Sequence, residues 1–373
     1  MPTQVVDPQS VAEMRGNLLA WYSTNCRDLP WRRLPWRYGS YAIWVSEIML
    51  QQTRVAVVIE RFQAFLVRFP TIDALACAPE QDVLALWSGL GYYRRARMMH
   101  KTARLVTARD PAGLPAAAAE LRTLPGIGAY TAAAVASIAH GEAVPVIDGN
   151  VERVLCRLNG LNAAAGGIAL RRKVEQFAAQ LLDSRRPGDF NQALMELGAT
   201  VCLPRNPRCA ECPLRDRCLT RGEHKTRPRP PMRSREIAQA LAVRANRNRH
   251  LGQTREVLLE QRSDSQSVMP GLWELPALRS ASVPERDLRM SVSHSIMQVN
   301  YTVRIRTVSE SDADVITAPA GKRQWVALDK AAEMPLTGLA RKVLSLAHLL
   351  PAPRLASSIA PKMKADVKEN GRR

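Results

Sequence analysis

The apolar positions of the chain follow two different periods, and the change falls near residue 230. Up to about residue 220 they recur every three or four positions, which is the spacing of a helix with one buried face. One continuous stripe predicts a single long helix, and its members are Trp44, Ile48, Val55, Ile59, Phe62 and Leu66. Further helices are predicted over 79–87, 94–110, 129–139, 151–158, 171–183 and 191–201. We therefore expect an all-α region.

Beyond residue 230 the apolar residues alternate with polar ones, which is typical of half-buried strands. The clearest run is Val299, Tyr301, Val303 and Ile305, with shorter β-like runs at 256–260 and 324–328 and a helix at 337–349. Proline and arginine dominate the stretch between the two regions and favour an extended linker. The sequence thus predicts a helical domain at 1–225, a linker at 226–236, an α+β domain at 237–350 and a disordered basic tail at 351–373.

The chain carries a formal net charge of +19 and has a pI near 10.3. Such a field attracts polyanions, chiefly nucleic acids or an anionic membrane surface, although a merely soluble basic protein also fits. No segment approaches the roughly 20 apolar residues of a membrane span. Residues 1–10 lack the cationic start and apolar core of a secretory signal. We expect an intracellular protein in a reducing compartment, with no membrane partner.

Four of the seven cysteines crowd into one short segment, namely Cys202, Cys209, Cys212 and Cys218. In a reducing compartment such a group is typical of a metal site. Four thiolates can enclose a zinc ion or a cubane iron–sulfur cluster. Zinc sites usually combine two close Cys-x-x-Cys pairs, and this segment has one, which favours a [4Fe–4S] cluster. The remaining Cys26, Cys77 and Cys156 stand singly among apolar residues and are predicted to fill the core.

A glycine motif, L-P-G-I-G at 124–128, separates two predicted helices. Its glycines let the backbone turn sharply and expose N–H groups at the start of the next helix, where a phosphate can bind without side-chain charge. The same pattern also fits a plain turn between helices. In so basic a chain we expect Gly126 and Gly128 to contact a nucleic-acid phosphate.

Two carboxyl groups are candidates for glycosidic-bond chemistry. Glu47 lies at the edge of an apolar stripe, where partial desolvation would raise its pKa and keep a proton available. Asp148 directly precedes a predicted helix, a position that suits an anion. Glu47 also fits an ordinary surface glutamate, and Asp148 an ordinary N-cap. One protonated and one ionised carboxyl are what cleavage of a glycosidic bond needs.

Several motifs together resemble the MutY adenine DNA glycosylases, which belong with endonuclease III to the helix-hairpin-helix superfamily. They are R-D-L-P-W at 27–31, I-W-V-S-E-I-M-L-Q-Q-T at 43–53, W-S-G-L-G-Y-Y-R-R-A-R at 87–97, L-P-G-I-G at 124–128, I-D-G-N-V at 147–151 and the cysteine spacing. The resemblance is dense over about residues 15–220 and looser beyond. It implies an all-α helix-hairpin-helix glycosylase domain with a [4Fe–4S] cluster loop, followed by an α+β Nudix-like domain.

The reaction implied by this resemblance is removal of adenine mispaired with 8-oxoguanine or guanine in double-stranded DNA, a step of base excision repair. Glu47 would protonate the flipped adenine, and Asp148 would stabilise the sugar cation before water adds. Tyr130 would support the sugar side, and Asn150 would orient Asp148. The four clustered cysteines would hold the [4Fe–4S] cluster. The resemblance also implies a cytoplasmic, nucleoid-associated monomer.

The resemblance also implies a set of DNA contacts. Gln52 and Tyr92 would enter the helix where the base has left, with Thr53 and Leu90 beside them, at a cost of a few kcal/mol of unstacking. Gln51 is expected to contact DNA as well. The sequence L-P-W-R occurs twice, at 29–32 and 34–37, and we assign the adenine contact to Arg32.

Endonuclease III relatives of the strand-cleaving type carry a lysine after the hairpin that forms a Schiff base with the sugar. Here Ala-Tyr-Thr at 129–131 follows the hairpin, which predicts a monofunctional glycosylase. Two other hypotheses stay open: an endonuclease III-like enzyme acting on oxidised pyrimidines, and a non-catalytic iron–sulfur protein that only senses lesions.

The motif G-L-W-E-L-P at 271–276 is similar to the core strand of Nudix domains. Residues 279–290 lack the glutamate-rich helix that binds Mg²⁺ in Nudix pyrophosphatases, so we expect the fold without that chemistry. In MutY proteins this domain recognises 8-oxoguanine through a Phe-Ser-His loop. The corresponding residues here are Val292, Ser293 and His294, with the phenylalanine replaced.

Overall fold

The computed structural model describes residues 7–33, 39–109, 113–164, 166–224, 231–248, 252–280, 283–317 and 321–350. The chain divides into two compact units, Met1–Met232 and Arg233–Arg373. The division falls inside the segment 226–236 that the sequence predicts as a linker. The change of hydrophobic period near residue 230 therefore coincides with the boundary between two structural units.

The described part of the first unit is built from helices. They are α1 (Pro8–Asn25), α2 (Gly39–Leu50), α3 (Val55–Arg68), α4 (Ile72–Cys77), α5 (Glu80–Leu86), α6 (Arg94–Arg109), α7 (Ala118–Leu121), α8 (Ala129–His140), α9 (Gly149–Leu158), α10 (Gly167–Leu181) and α11 (Pro187–Thr200). Every helix predicted between residues 79 and 201 forms, with its ends shifted by a few residues. α1 was not predicted; it starts after Asp7, whose carboxylate caps the helix by accepting a hydrogen bond from the Ser10 N–H at 3.0 Å.

The apolar stripe across 44–66 is not one helix, so that prediction is wrong. α2 ends at Leu50, Gln52 adopts a left-handed φ of +56°, and α3 begins at Val55. A side-chain-bearing residue in the left-handed region interrupts a right-handed helix. Periodicity missed this turn because the apolar spacing resumes in register on its far side.

α7 and α8 flank the turn at 124–128 and form the predicted helix-hairpin-helix. Gly126 has a φ of +77°, and a Cβ added to it would lie 2.5 Å from the Cβ of Met98 on α6. Only glycine fits there, both for its backbone conformation and for its size. The hydroxyl of Thr102, also on α6, donates to the Pro125 carbonyl at 2.7 Å. α6 therefore holds the hairpin in place.

A large apolar cluster joins α1, α9, α10 and α11, and its fully buried members include Leu18, Leu155 and Phe190. Cys202, Cys212 and Cys218 pack against the same cluster. α8 packs on α2 and on α11. These contacts bring the faces of α2, α8 and α9 that carry the candidate site toward one another.

The second unit contains a sheet of strand order β3-β2-β1-β5-β4, with β6 pairing on β2. Its elements are β1 (Arg233–Asn248), β2 (Gly252–Gln261), β3 (Trp273–Glu274), β4 (Leu288–Ile296), β5 (Val299–Val308), α12 (Glu310–Ile316), β6 (Lys322–Ala327), α13 (Leu328–Glu333) and α14 (Gly338–Leu346). β1 runs antiparallel to β2 and parallel to β5. The predicted runs at 256–260 and 299–305 lie within β2 and β5, and the run at 324–328 extends one residue too far.

The predicted linker is wrong at its end, because β1 already begins at Arg233. Arg233 pairs with Val299 of β5, and its N–H donates to the Gln298 carbonyl at 2.9 Å. Residues 225–230 and the predicted tail at 351–373 lie outside the described residues. None of the helices in the described ranges is both long enough and apolar enough to cross a membrane.

Candidate active site and cysteine loop

Glu47 lies on α2 and is buried, with 5% of its surface exposed. Burial raises the pKa of its carboxyl to about 7, and the charge of Asp148 adds to that rise. A hydrogen bond from Tyr130 and the charge of Arg32 act in the opposite direction and are outweighed. The carboxyl therefore holds its proton at neutral pH far more often than an ordinary glutamate does.

Tyr130 comes from the first turn of α8, directly after the hairpin. Its hydroxyl donates to Glu47 Oε2 at 2.6 Å and lies 3.5 Å from the Met195 sulfur of α11. Burial and the nearby Glu47 charge raise the pKa of the phenol well above its usual range. Tyr130 is therefore a permanent donor that fixes one oxygen of Glu47 and leaves the other free for a proton.

Asp148 is the N-cap of α9 and is half-buried. Its Oδ1 accepts the Val151 N–H at 2.7 Å, and its Oδ2 accepts the Asn150 side-chain amide at 3.1 Å. The start of a helix favours negative charge. Asp148 therefore does cap α9, and its charge also raises the pKa of the Glu47 carboxyl.

Arg153 connects this carboxylate to the cysteine loop. Its Nη2 donates to Asn150 Oδ1 at 2.9 Å and to the Gly198 carbonyl at 2.7 Å. Its Nε donates to the Cys202 carbonyl at 2.9 Å. Sequence reasoning did not assign Arg153, because its partners lie on three separate segments.

Arg32 lies close enough to Glu47 for its charge to lower the pKa of that carboxyl. Its Nη2 donates to the buried Glu196 of α11 at 3.0 Å, and Arg27 binds the same carboxylate at 2.7 and 2.9 Å. Burial alone would raise the pKa of Glu196, but the hydrogen bonds and charges of the two arginines lower it. Glu196 was missed in the sequence. The second L-P-W-R, at 34–37, lies outside the described residues.

The residues predicted to enter DNA lie on two neighbouring turns. Gln52 and Tyr92 are exposed and both have positive φ, of +56° and +47°. The Thr53 hydroxyl joins the turns by donating to the Leu90 carbonyl at 3.1 Å. Leu90 itself is only 4% exposed in this structure, and its DNA contact beside Gln52 and Tyr92 stays a prediction.

Arg95 of α6 is the clamp that sequence reasoning overlooked. One Nη donates to the Ile48 carbonyl at 2.7 Å, and the other donates to Thr53 Oγ1 and the Leu90 carbonyl at 3.0 and 2.9 Å. The turn at 51–54 is therefore held to the turn at 89–92. Gln51 points to α8 instead, where its amide donates to Thr131 Oγ1 at 3.1 Å.

The predicted phosphate contacts sit at the hairpin. Gly126 and Gly128 are both exposed, and Gly128 is the N-cap of α8. Its N-cap residue, being glycine, has no side chain to accept a hydrogen bond from the first turn of α8. The first N–H groups of this helix are therefore left available for an external acceptor such as a phosphate oxygen.

The four clustered cysteines line one pocket. Among the described residues, no three cysteine, histidine or carboxyl side chains converge tightly enough to hold a single metal ion. Of the other three cysteines, Cys156 is buried as predicted, but Cys26 and Cys77 are exposed, so the prediction that they fill the core is wrong.

A buried cation accompanies these thiols. Arg157 of α9 is 2% exposed, and its Nη1 donates to Cys202 Sγ at 3.3 Å and to the Leu203 carbonyl at 2.7 Å. Its Nη2 donates to the Pro204 carbonyl at 2.9 Å. A buried charge needs a counter-charge. Thiolates bound to an anionic iron–sulfur cluster would supply it, so the residues fit that group.

In the second unit, the residues 292–294 form part of β4 and not a loop, which corrects the expectation from the resemblance. Val292 is in the core, whereas Ser293 is exposed on the opposite face. The Ser293 carbonyl accepts Lys342 Nζ of α14 at 2.7 Å. Burial, and then the Lys342 charge, lower the pKa of His294. This imidazole is therefore mainly neutral at neutral pH.

Comparison with known proteins agrees with this geometry. Residues 45–180 match the model of the HhH-GPD superfamily of base excision DNA repair proteins, and residues 202–218 match the iron–sulfur binding domain of endonuclease III. Cys202, Cys209, Cys212 and Cys218 are thus the ligands expected for the [4Fe–4S] cluster of this family. A solved thermostable thymine-DNA glycosylase is 26% identical with a TM-score of 0.50, covering 57% of this chain and 97% of that one.

Curated relatives carry the name adenine DNA glycosylase. The human protein is 47% identical over 58% of this chain, but the match spans only 40% of the human protein. The Mycobacterium tuberculosis protein is 43% identical over 58% of this chain and 70% of its own length. The mouse protein is 33% identical over 91% of this chain and 79% of its own length. On these matches, the chain belongs to the adenine DNA glycosylase family.

Proposed function

We propose that this protein removes adenine from A:8-oxoguanine and A:G mispairs in double-stranded DNA by acid-assisted hydrolysis of the N-glycosidic bond. The single observation that carries the proposal is the buried Glu47, held by Tyr130 and within reach of the Asp148 charge. Cleavage of a glycosidic bond needs one protonated and one ionised carboxyl, and these are the roles that we assign to Glu47 and Asp148.

The reaction would start with adenine extruded from the duplex. Glu47 gives its proton to the base while the bond to the sugar breaks and the bonding electrons leave with adenine. Asp148 stabilises the positive charge left on the sugar. A water molecule then adds to the sugar and returns one proton to Glu47. The balance is one water consumed and one adenine released.

Because this hydrolysis needs no electron transfer, we assign a structural role to the [4Fe–4S] cluster. When bound, it would stabilise the loop at 202–218. Arg157 would neutralise part of its charge, and Arg153 would hold the loop to Asn150. Loss of the cluster should therefore loosen Asp148 as well as the loop.

The DNA contacts remain part of the proposal. Gln52 and Tyr92 would fill the space that the flipped adenine leaves, and Arg32 would face that base. Gly126 and Gly128 would bind a phosphate, while Thr53 and Arg95 would brace the two inserting turns. We also propose that the protein acts as a monomer, in the cytoplasm and on the nucleoid.

For the second unit we propose a Nudix-like fold that recognises 8-oxoguanine through Ser293 and His294. Trp273, within the motif at 271–276, lies on β3, which pairs antiparallel with β2. This pairing supports the comparison of the motif with the core strand of Nudix domains. Residues 285–287 form a 3₁₀ turn, after which β4 begins. No pyrophosphatase activity is proposed.

The test is a glycosylase assay on a panel of mismatched duplexes, with and without alkali afterwards. We expect adenine release from A:8-oxoguanine and A:G duplexes, with strand breaks only after alkali, because no lysine follows the hairpin at 129–131. Strand breaks without alkali would favour the endonuclease III-like alternative. Tight lesion binding with no base release would favour the non-catalytic alternative.

A further inference from the structure

Two helices approach unusually closely beside the candidate active site. A Cβ added to Gly198 of α11 would lie 2.7 Å from the Cβ of Asn150 and 3.1 Å from its carbonyl carbon and oxygen. Carbon atoms in contact are normally about 3.5–4.0 Å apart. Any larger residue at position 198 must therefore push the first turn of α9 away from α11.

The backbone of Gly198 takes part in the same contact. Its carbonyl accepts Arg153 Nη2 at 2.7 Å, and that nitrogen also donates to Asn150 Oδ1 at 2.9 Å. The amide of Asn150 in turn donates to Asp148 Oδ2 at 3.1 Å. Gly198 is therefore linked to the Asp148 carboxylate in two ways: by its close contact with Asn150, and by a chain of three hydrogen bonds that starts at its backbone carbonyl.

We propose that Gly198 is a positioning residue: its missing side chain lets α11 approach α9 closely enough to fix Asn150 and, through it, Asp148. The inference rests on the proposed function and assigns a role to a residue that touches neither base nor sugar. Asp148 is held at the start of α9, so a shift of that turn moves the carboxylate with it. A displacement of about 1 Å in a catalytic group can cost about 100-fold in rate.

The chain offers a matched control on the same helix. A Cβ added to Gly188 would lie 2.7 Å from the Ser137 carbonyl oxygen and 2.9 Å from the Ile138 Cα, both on α8. Gly188→Ala thus imposes a comparable clash on α11 without touching Asn150. Comparing the two variants separates positioning of Asp148 from general loss of stability.

The experiment measures single-turnover adenine release, DNA dissociation constant and thermal midpoint for both variants. We expect Gly198→Ala to lower the rate about 100-fold with DNA affinity retained. Gly188→Ala should leave the rate within about threefold at a temperature where both are folded. Equal rate losses in the two variants would overturn the inference while leaving the proposed function intact.

A double variant tests the route through Asn150. Asn150→Gly removes the Cβ, the nearest atom that the new methyl group meets, and leaves the two backbone contacts at 3.1 Å, so Gly198→Ala should cost less rate in that background than in the wild type. The same loss in both backgrounds would overturn the inference. If Gly198→Ala alone is too unstable to assay, the double variant should have the higher thermal midpoint of the two, and an equal or lower midpoint would again overturn the inference. A wild-type chain that releases no adenine would instead overturn the proposed function, and this inference with it.

Discussion

Glu47 in the helical unit and Glu274 in the sheet are two carboxyl groups with opposite surroundings. In the sheet, Glu274 accepts both Arg262 hydrogen bonds at 2.7 Å, and Glu260 accepts Arg323 at 2.9 Å. In the helical unit, Glu47 is bonded instead to the neutral phenol of Tyr130. Burial raises the pKa of both Glu47 and Glu274, but only the second has a cation in direct contact to compensate. Glu274 is therefore a carboxylate whose ion pair serves stability, whereas Glu47 is a carboxyl that keeps a proton for transfer.

The largest effect is expected from Glu47→Gln, which removes the proton donor but keeps the size and polarity of the side chain. Single-turnover adenine release should fall about 1,000-fold, within the range of general acid catalysis. The DNA dissociation constant should change little. Glu274→Gln is the control from the sheet and should leave the rate unchanged. A Glu47→Gln variant that releases adenine at the wild-type rate would contradict the assignment of Glu47 as the proton donor.

Asp148→Asn should give the next largest effect. Asparagine still caps α9 by accepting the Val151 N–H, so the thermal midpoint should barely move. The sugar cation loses its counter-charge, and the rate should fall about 100-fold. Parallel losses of rate and stability would show that Asp148 serves only as a cap.

The pH dependence follows from the protonated carboxyl. Because the pKa of Glu47 is raised to about 7, adenine release should be fastest below that pH and fall as the pH rises through it. The Tyr130 hydrogen bond lowers the pKa, so Tyr130→Phe should move the midpoint of the pH–rate profile upward. A midpoint that moves downward would contradict the assigned role of the phenol.

The substitutions Glu47→Gln and Glu274→Gln should change the free energy of unfolding in opposite directions. The folded pKa of Glu47 lies above its ordinary 4.5, so folded protein is stabilised at low pH and loses that contribution as the pH rises from about 4.5 to 7. Glu47→Gln should therefore raise the free energy of unfolding at pH 8, by on the order of 2 kcal/mol. Glu274→Gln leaves Arg262 without its partner and should lower it by about 1–3 kcal/mol. Denaturant titrations at pH 5 and 8 measure both.

The smallest effect is expected from His294→Ala in the sheet. It should narrow the preference for 8-oxoguanine over guanine opposite adenine by about fivefold, about the net worth of one hydrogen bond. The rate on A:G duplexes should stay the same. Ser295→Ala, on the neighbouring position of β4, is the control. A preference that stays the same after His294→Ala would remove His294 from lesion recognition.

Local patterns in the sequence predict much of the helical unit. Tyr130 and Asp148 lie at the starts of helices that form within a few residues of where the apolar period places them, whereas Glu47 lies on the first of the two helices that replace the single predicted one. The turn at 51–54 and the binding of Glu196 by Arg27 and Arg32 could not be predicted in this way. They depend on contacts between segments far apart in the chain, up to 169 residues for Arg27 and Glu196.

Two glycines show the same limit of prediction from local sequence. Gly126 is marked by its turn motif, whereas Gly198 lies inside a helix and looks like a weak helix former. Glycine is needed at this position because a Cβ there would collide with Asn150 on the neighbouring helix. Likewise, Cys26 and Cys77 sit among apolar residues in sequence yet lie at the surface.

The most direct measurement is a pH titration of the Glu47 carboxyl by difference infrared spectroscopy of wild type against Glu47→Gln. The account predicts a protonated carboxyl band that disappears with a midpoint near pH 7. A midpoint near 4.5, the ordinary value of a glutamate, would contradict it.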